Sequence, residues 1–350
     1  MGADGARTIA KGDVAAWLAA LMRHAEVIAP VADHGGDVAF APISSPQQVV
    51  FEFDNTLYPP KGHLLPQAAP LVAIERGDRG YQIRRVLDLR PRVLFNVRSC
   101  DAAGIAFLKR VHASDLPDGA FLGRTEMLTL VTLACTVPCE LGFCTCSNAG
   151  PFLADGYDLQ LTDLGDRLLA EPGSEAGVAL LAEAESLFRP ARGEEMCMRS
   201  ELEEAAKRAL GAETCHFGSA MRRLSTGRVA AGLWEALGDW CLECGGCTFV
   251  CPTCYCFSLS DMNVDGSFVR CRTWDSCQYS AFTLEASGHN PRERRADRIR
   301  RRFFHKVSAQ YYLRDGTVGC VGCGRCIQVC LGTTDMPAVV EAIREGARSG

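Results

Sequence analysis

The sequence predicts an α+β protein in two parts, a mixed α/β domain over residues 1–175 and a predominantly helical domain over residues 176–350. Three observations carry that expectation. Strand-length apolar runs and helix-length periodic segments are interspersed up to about residue 170. The Gly/Pro/Glu-rich stretch EPGSEAG at 171–177 then breaks the pattern. Beyond it the texture is helical, interrupted by two cysteine-dense runs, CLECGGCTFVC at 241–251 and CVGCGRCIQVC at 320–330.

Taken in order, Val14, Trp17, Leu18 and Leu21 recur at helical spacing behind Asp13, which stands where an N-cap belongs, so the chain opens with an amphipathic helix. QVVFEF at 48–53, RVLFNV at 92–97 and MLTLVTLA at 127–134 read as strands, and DAAGIAFLKRV at 101–111 as a helix. Past residue 177, ALLAEAESLF, RSELEEAAKRAL and VAAGLWEALGDW read as helices. In the last of these, Leu233, Leu237 and Trp240 line one face that leads into the first cysteine run. A basic helix-like stretch, RERRADRIRRRFFHK at 292–306, lies between the two runs.

With 350 residues, 47% apolar and 23% charged, the chain is long and apolar enough for two or three folded domains rather than a disordered segment. A net charge of −5 gives no global pull towards nucleic acid or anionic lipid. Cysteine is the outlier, at 19 residues, an odd number. Disulfides would need an oxidising compartment, and the N-terminus has no basic start followed by an apolar run and a cleavage site. Ala6 stands where a myristoylation signal wants Ser or Thr. No apolar run approaches the roughly 18 residues of a membrane span. The expectation is a cytoplasmic chain with no membrane span, its thiols reduced or metal-bound.

The spacing of the two runs is specific. Each reads Cys-x2-Cys-x2-Cys-x3-Cys: Cys241, Cys244, Cys247 and Cys251, then Cys320, Cys323, Cys326 and Cys330. Three cysteines two residues apart wrap a tight loop around one corner of a 4Fe–4S cube, whose irons prefer soft thiolates. Gly245, Gly246, Gly322 and Gly324 let the backbone pass close to inorganic sulfide. The fourth cysteine of each run points at the neighbouring cube. Cys241, Cys244, Cys247 and Cys330 are thus assigned to one cluster, and Cys320, Cys323, Cys326 and Cys251 to a second. Zinc also takes CxxC pairs, but it wants two pairs per site, not two runs of four. Pro252 follows the first run whereas Leu331 follows the second, which leaves Cys330 the least constrained of the eight. The 68 residues between Cys251 and Cys320 and their helical flanks resemble the α-helical ferredoxin domains of fumarate reductase and heterodisulfide reductase subunits.

The wording of several blocks narrows the resemblance. VCPTCYC (250–256), RTWDSC (272–277), GHNPRERR (288–295) and CVGCGRC (320–326) are similar to the β subunit of cytoplasmic sulfhydrogenases, as are RSCDAAGI (98–105), LACTVPCELGFCTC (133–146) and DLQLTDLGDRLLAEPGSEAG (158–177). The related anaerobic sulfite reductase shares the pattern in its corresponding subunit. The resemblance implies an iron–sulfur electron conduit, not catalytic alone, between a flavin-containing NAD(P)H-oxidoreductase subunit and the small and large subunits of a NiFe hydrogenase. The alternatives are a sulfite reductase subunit and a self-standing sulfur-compound reductase. The chain shows no nucleophile elbow, P-loop or strand-borne GxGxxG, and its seven histidines are scattered.

Eleven cysteines remain outside the two runs. Cys100 and Cys135 each follow an expected strand and the 139–146 loop comes directly after, so Cys100, Cys135, Cys139 and Cys144 are candidate ligands of a third 4Fe–4S cluster, with Cys146 competing for a place. The family usually carries a cysteine where Gly142 stands here, and buried inert thiols are the plainer alternative. Cys254 and Cys256 are expected to pack beside a cluster without ligating it, the alternatives being a redox pair with Cys251 or ligands of something else; Cys277 reads the same way, and Cys197, Cys215 and Cys271 read as ordinary buried or surface residues. The basic stretch carries eight Arg or Lys against two acids. With a negative net charge and no reading motif, nucleic acid is not its expected partner. It either offsets cluster charge and docks an acidic partner, or is a solvated helix face.

Overall fold

A computed structural model of the chain describes residues 5–33, 35–78, 80–211, 215–264 and 267–346. Its strands are β1 (Arg7–Ala10), β2 (Glu26–Ala32), β3 (Val38–Pro42), β4 (Ala68–Gly77), β5 (Gly80–Arg85), β6 (Arg92–Arg98), β7 (Leu128–Leu133), β8 (Leu159–Asp163), β9 (Arg167–Pro172), β10 (Arg189–Pro190), β11 (Phe257–Val264) and β12 (Ser267–Trp274). Eight of them form one sheet in the order β10-β1-β9-β8-β7-β6-β2-β3, parallel through β2-β6-β7-β8 and antiparallel at both edges. Two helices, Ser99–Ala113 and Gly119–Glu126, carry the chain from β6 to its parallel neighbour β7.

All seven residues of β6 are buried, because the sheet is covered on both faces. Val93 and Phe95 pack on one side with Trp17, Leu18 and Leu21 of the helix Val14–Leu21. Leu94 and Val97 pack on the other with Ala102, Ile105 and Leu108 of the helix Ser99–Ala113. The opening helix, β6, β7 and the helix at 101–111 form where the sequence places them. Two details differ. Asp13 caps nothing: it is already helical (φ −93, ψ −9) at the end of a 3-10 turn, and Trp17 anchors the helix instead by donating Nε1–H to Leu180 O at 3.1 Å. Residues 48–53 are not a strand. Pro46–Gln48 is a 3-10 turn, and the extended segment after it gives its carbonyls to side chains rather than to a ladder: Val50 O accepts from Asn96 Nδ2 at 2.9 Å, and Phe51 O and Phe53 O from Arg98.

The second sheet, β11-β12-β4-β5, is wholly antiparallel. The hairpin β11–β12 lies between the two cysteine runs, where the sequence texture predicts helix, and β12 pairs with β4 from the first half of the chain. Both sheets therefore draw strands from either side of residue 175. The helices Phe217–Ser225, Ala231–Trp240, Arg295–Val307 and Met336–Glu345 enclose a separate apolar core of Phe217, Leu224, Trp234, Ile299, Phe303 and Val339. Trp234 is the inward anchor of its helix; Trp240, expected on that inner face, is 68% exposed.

One ion pair fastens the halves together. Arg325, inside the second cysteine run, meets Asp101 in a two-pronged contact at 2.6 and 2.8 Å, with both side chains 1% exposed. The guanidinium also donates to Thr56 O at 2.6 Å and to Asn55 Oδ1 at 2.5 Å, so its donors are satisfied away from water. Truncating one member of such a pair strands the other, at a cost of about 3–5 kcal/mol. Asp101→Ala is expected to lose that much stability in urea denaturation of the cluster-loaded chain; a loss under about 1 kcal/mol would show that the pair does not hold the halves together.

Candidate metal centre

The helix Ala231–Trp240 delivers the chain to Cys241, and a short helix, Gly246–Phe249, carries Cys247. The second run repeats the design: Gly324 leads into the helix Arg325–Val329, which carries Cys326, and the two short helices pack on one another. That contact sets the end of each run against the start of the other. Cys241, Cys244, Cys247 and Cys330 line one small cavity, together with Gln278, Val329 and Thr334. Cys330 Sγ there accepts from Thr334 N at 3.2 Å. On the other side, Cys251 lies close enough to Cys320, Cys323 and Cys326 to act on each of them through charge.

The N-terminal thiols gather too. Cys135 is a charge neighbour of Cys100, Cys139 and Cys144, and Cys323 of the second run neighbours Cys100, Cys139 and Cys144 as well. Cys146 stands apart from them: its sulfur accepts from Cys215 N at 3.4 Å. The approach of the 139–146 loop to the second run depends on Gly322 (φ +63), which bonds through its carbonyl to Phe143 N at 2.8 Å; a Cβ at that position would run into the Phe143 backbone. The helix Ser99–Ala113 meets the first run as closely, since a Cβ on Gly104 would lie 2.7 Å from Pro252 Cβ.

Among the described residues, all the cysteines are free thiols and no three His, Cys, Asp or Glu side chains close on a single ion. Burial pushes the Cys247 thiol up to about 11 and those of Cys326 and Cys144 up to about 12. As thiolates they need positive charge, and buried cations surround them. Arg298, Arg302 and Lys306 form the inner stripe of the helix Arg295–Val307, while Arg294, Arg295 and Arg300 face solvent. Arg298 pairs with Glu243. Arg302 and Lys306 have no carboxylate partner among the described residues, nor does buried Lys61.

Lys306 Nζ lies 3.4 Å from Cys251 Sγ and donates to Thr253 Oγ1 at 2.9 Å and Gly319 O at 2.7 Å. Burial opposes its charge, but Cys251, Cys254 and Cys320 outweigh that and raise its pKa. Arg302 is raised in the same way, burial being overcome by Cys247, Cys326, Cys254 and Cys277, and its Nε finds no partner. Lys61 donates to Cys251 O and Cys254 O, both at 2.6 Å, and sits 4.5 Å from the Trp274 ring; burial lowers its pKa. A soft thiolate donor set beside unpaired buried cations fits an anionic iron–sulfur cube.

The comparisons agree with that chemistry. Residues 240–334 match the family described as a 4Fe-4S dicluster domain, a span that contains both runs. The chain is 31% identical over 315 residues to sulfhydrogenase 2 subunit beta of Pyrococcus furiosus, covering 89% of this chain and 91% of that one. The chain belongs to the sulfhydrogenase β-subunit family. Within it, this member is an iron–sulfur protein whose C-terminal part is a 4Fe–4S dicluster domain. No solved structure matches the chain. No helix among the described residues is long and apolar enough to cross a membrane.

Lys61 and Arg325 escaped the sequence reading. The signal was present for both: a lone lysine in the Pro/Leu-rich YPPKGHLLP, and an arginine inside CGRC, where solvent is scarce. If all three thiol sets hold cubes, the loaded chain carries about twelve irons, four per cube. Cys135→Ser is then expected to remove about four and Cys146→Ser none, by iron and sulfide analysis; about eight irons in both wild type and Cys135→Ser would rule out the third cluster.

Proposed function

We propose that this chain relays electrons for other subunits through three 4Fe–4S clusters in series. The ligands are Cys241, Cys244, Cys247 and Cys330 for the first, Cys320, Cys323, Cys326 and Cys251 for the second, and Cys100, Cys135, Cys139 and Cys144 for the third. The third set lies within residues 1–175, and the other two within residues 176–350. The supporting observation is the adjacency of the sets: Cys323 neighbours Cys100, Cys139 and Cys144, while Arg302 neighbours both Cys326 and Cys247. Each cube stores one electron when bound.

Both ends of the series reach the surface. Cys244 is exposed beside the exposed apolar side chains Trp240, Leu242 and Leu331, and Cys139 lies in a loop that exposes Val137 and Leu141. One end would receive electrons from a flavin-containing NAD(P)H-oxidoreductase subunit. The other would deliver them to the small subunit of a NiFe hydrogenase pair, or the flow reverses.

The isolated, cluster-loaded chain is expected to accept electrons from dithionite yet to turn over neither hydrogen, NAD(P)H, polysulfide nor sulfite. Hydrogen-dependent NAD(P)+ reduction should appear only when the flavin and NiFe subunits are added. Turnover of polysulfide or sulfite by the chain alone would overturn the relay reading. Lys306→Met removes a cation beside the second set and should make that cluster harder to reduce. Its midpoint potential is expected to fall by on the order of 60 mV, the one-electron equivalent of about 1.4 kcal/mol, in an EPR-monitored titration.

A further inference from the structure

Three thiols outside the proposed ligand sets line one cavity. Cys254, Cys256 and Cys277 face it together with Phe107, Arg302, His305 and Lys306. Cys256 immediately precedes β11 and Cys277 follows β12 by three residues, so the two sit at the open end of the same hairpin. The backbone is closed there, Asp275 N donating to Cys256 O at 2.9 Å. Their side chains line the same cavity as close charge neighbours, and Gln278 Nε2 donates to Cys277 Sγ at 3.4 Å. Cys254 is instead a close charge neighbour of Cys251.

The position of this pair is as telling as its contact. Cys277 is a charge neighbour of Cys247, a proposed ligand of the first cluster. Cys254, two residues from Cys256, is a charge neighbour of Cys251, a proposed ligand of the second. The pair thus lies between two one-electron carriers, with Arg302 and Lys306 at hand to balance negative charge. Tyr255 Oη, beside the cavity, is 3.0 Å from His305 Nε2 and accepts from the partly exposed Arg314 at 3.2 Å, a hydrogen-bonded route from the cavity outward.

We propose that Cys256 and Cys277 are a redox-active dithiol–disulfide couple that exchanges an electron pair with the flanking iron–sulfur centres. On oxidation both S–H bonds break and one S–S bond forms. Two protons leave, and two electrons pass singly to oxidised iron–sulfur acceptors; reduction reverses each change. The couple makes this chain a converter between paired and single electrons at a site outside the proposed ligand sets. It rests on the relay reading only for its electron source.

The test uses the full chain, cluster-loaded and kept free of oxygen. One sample is reduced with dithionite and another oxidised with ferricyanide. Both are then unfolded in denaturant containing chelator and an alkylating agent, and analysed by intact mass and peptide mapping. The oxidised sample is expected to carry two fewer alkyl groups, with a Cys256–Cys277 cross-linked peptide. Reductive titration should take up two more electrons per wild-type chain than per Cys277→Ser chain at equal iron content. Equal alkylation of both thiols in the two samples, with full iron, would overturn the couple while leaving the relay intact. Loss of iron from a folded Cys256→Ser or Cys277→Ser chain would also overturn it, by making the pair ligands. The wild-type comparison needs no variant to fold. Its iron content and EPR spectrum report on the relay separately.

Discussion

A cation taken out of water needs an opposite charge close by, and desolvation otherwise neutralises it or expels it. Lys61, Arg302 and Lys306 are buried with no carboxylate partner among the described residues. What they share is a neighbourhood of cysteine: Lys61 and Lys306 beside Cys251, and Arg302 between Cys247 and Cys326. The fold of the C-terminal half makes sense as a shell around buried cysteine thiolates, which iron would hold in their charged form. The inner stripe of the helix Arg295–Val307 brings two of these cations inward, and Lys61 arrives from the first half of the chain. With those thiols protonated the cations would repel one another; as iron-bound thiolates they turn the same arrangement into a counter-ion cage.

The same centre organises the contacts between the two halves. Arg325 stands between Cys323 and Cys326 and reaches back to Asp101, the residue after Cys100. The loop of Cys139 and Cys144 runs over Gly322, and the helix that begins at Ser99 presses Gly104 on Pro252. Each close approach joins residues flanking one thiol set to residues flanking another. Small side chains and a satisfied ion pair bring the sets near each other, and nearness is what an electron needs.

The local features were the legible ones. Ligand spacing in the two runs is a property of tight loops, so it appears within eleven consecutive residues and needs no knowledge of the rest of the chain. The helices at 14–21 and 99–113 and the strands β6 and β7 likewise follow from periodicity and burial. What stayed hidden was set by distant partners. The β11–β12 hairpin is secured by pairing with β4, about 200 residues earlier in the chain. Residues 48–53 have a strand's composition, but Asn96 and Arg98 claim their carbonyls first. Trp240 sits at helical spacing from Leu233 and Leu237, yet its helix is turned so that Trp234 takes the inner place. The basic stretch was legible as basic, but only the packed helix shows which of its arginines turn inward.

In the proposed ligand sets the two runs exchange their fourth cysteines, and that exchange has a consequence for biogenesis. With the proposed ligands, a nascent chain that has emerged as far as β12 already owns both strand partners of the second sheet and the whole first sheet, but neither C-terminal ligand set is complete. The second set waits for Cys326 and the first for Cys330. Iron must therefore be delivered to a molecule whose scaffold is largely assembled, through whatever opening the last turns of the chain leave. Damage that removes the final stretch would leave well-built protein that cannot be matured.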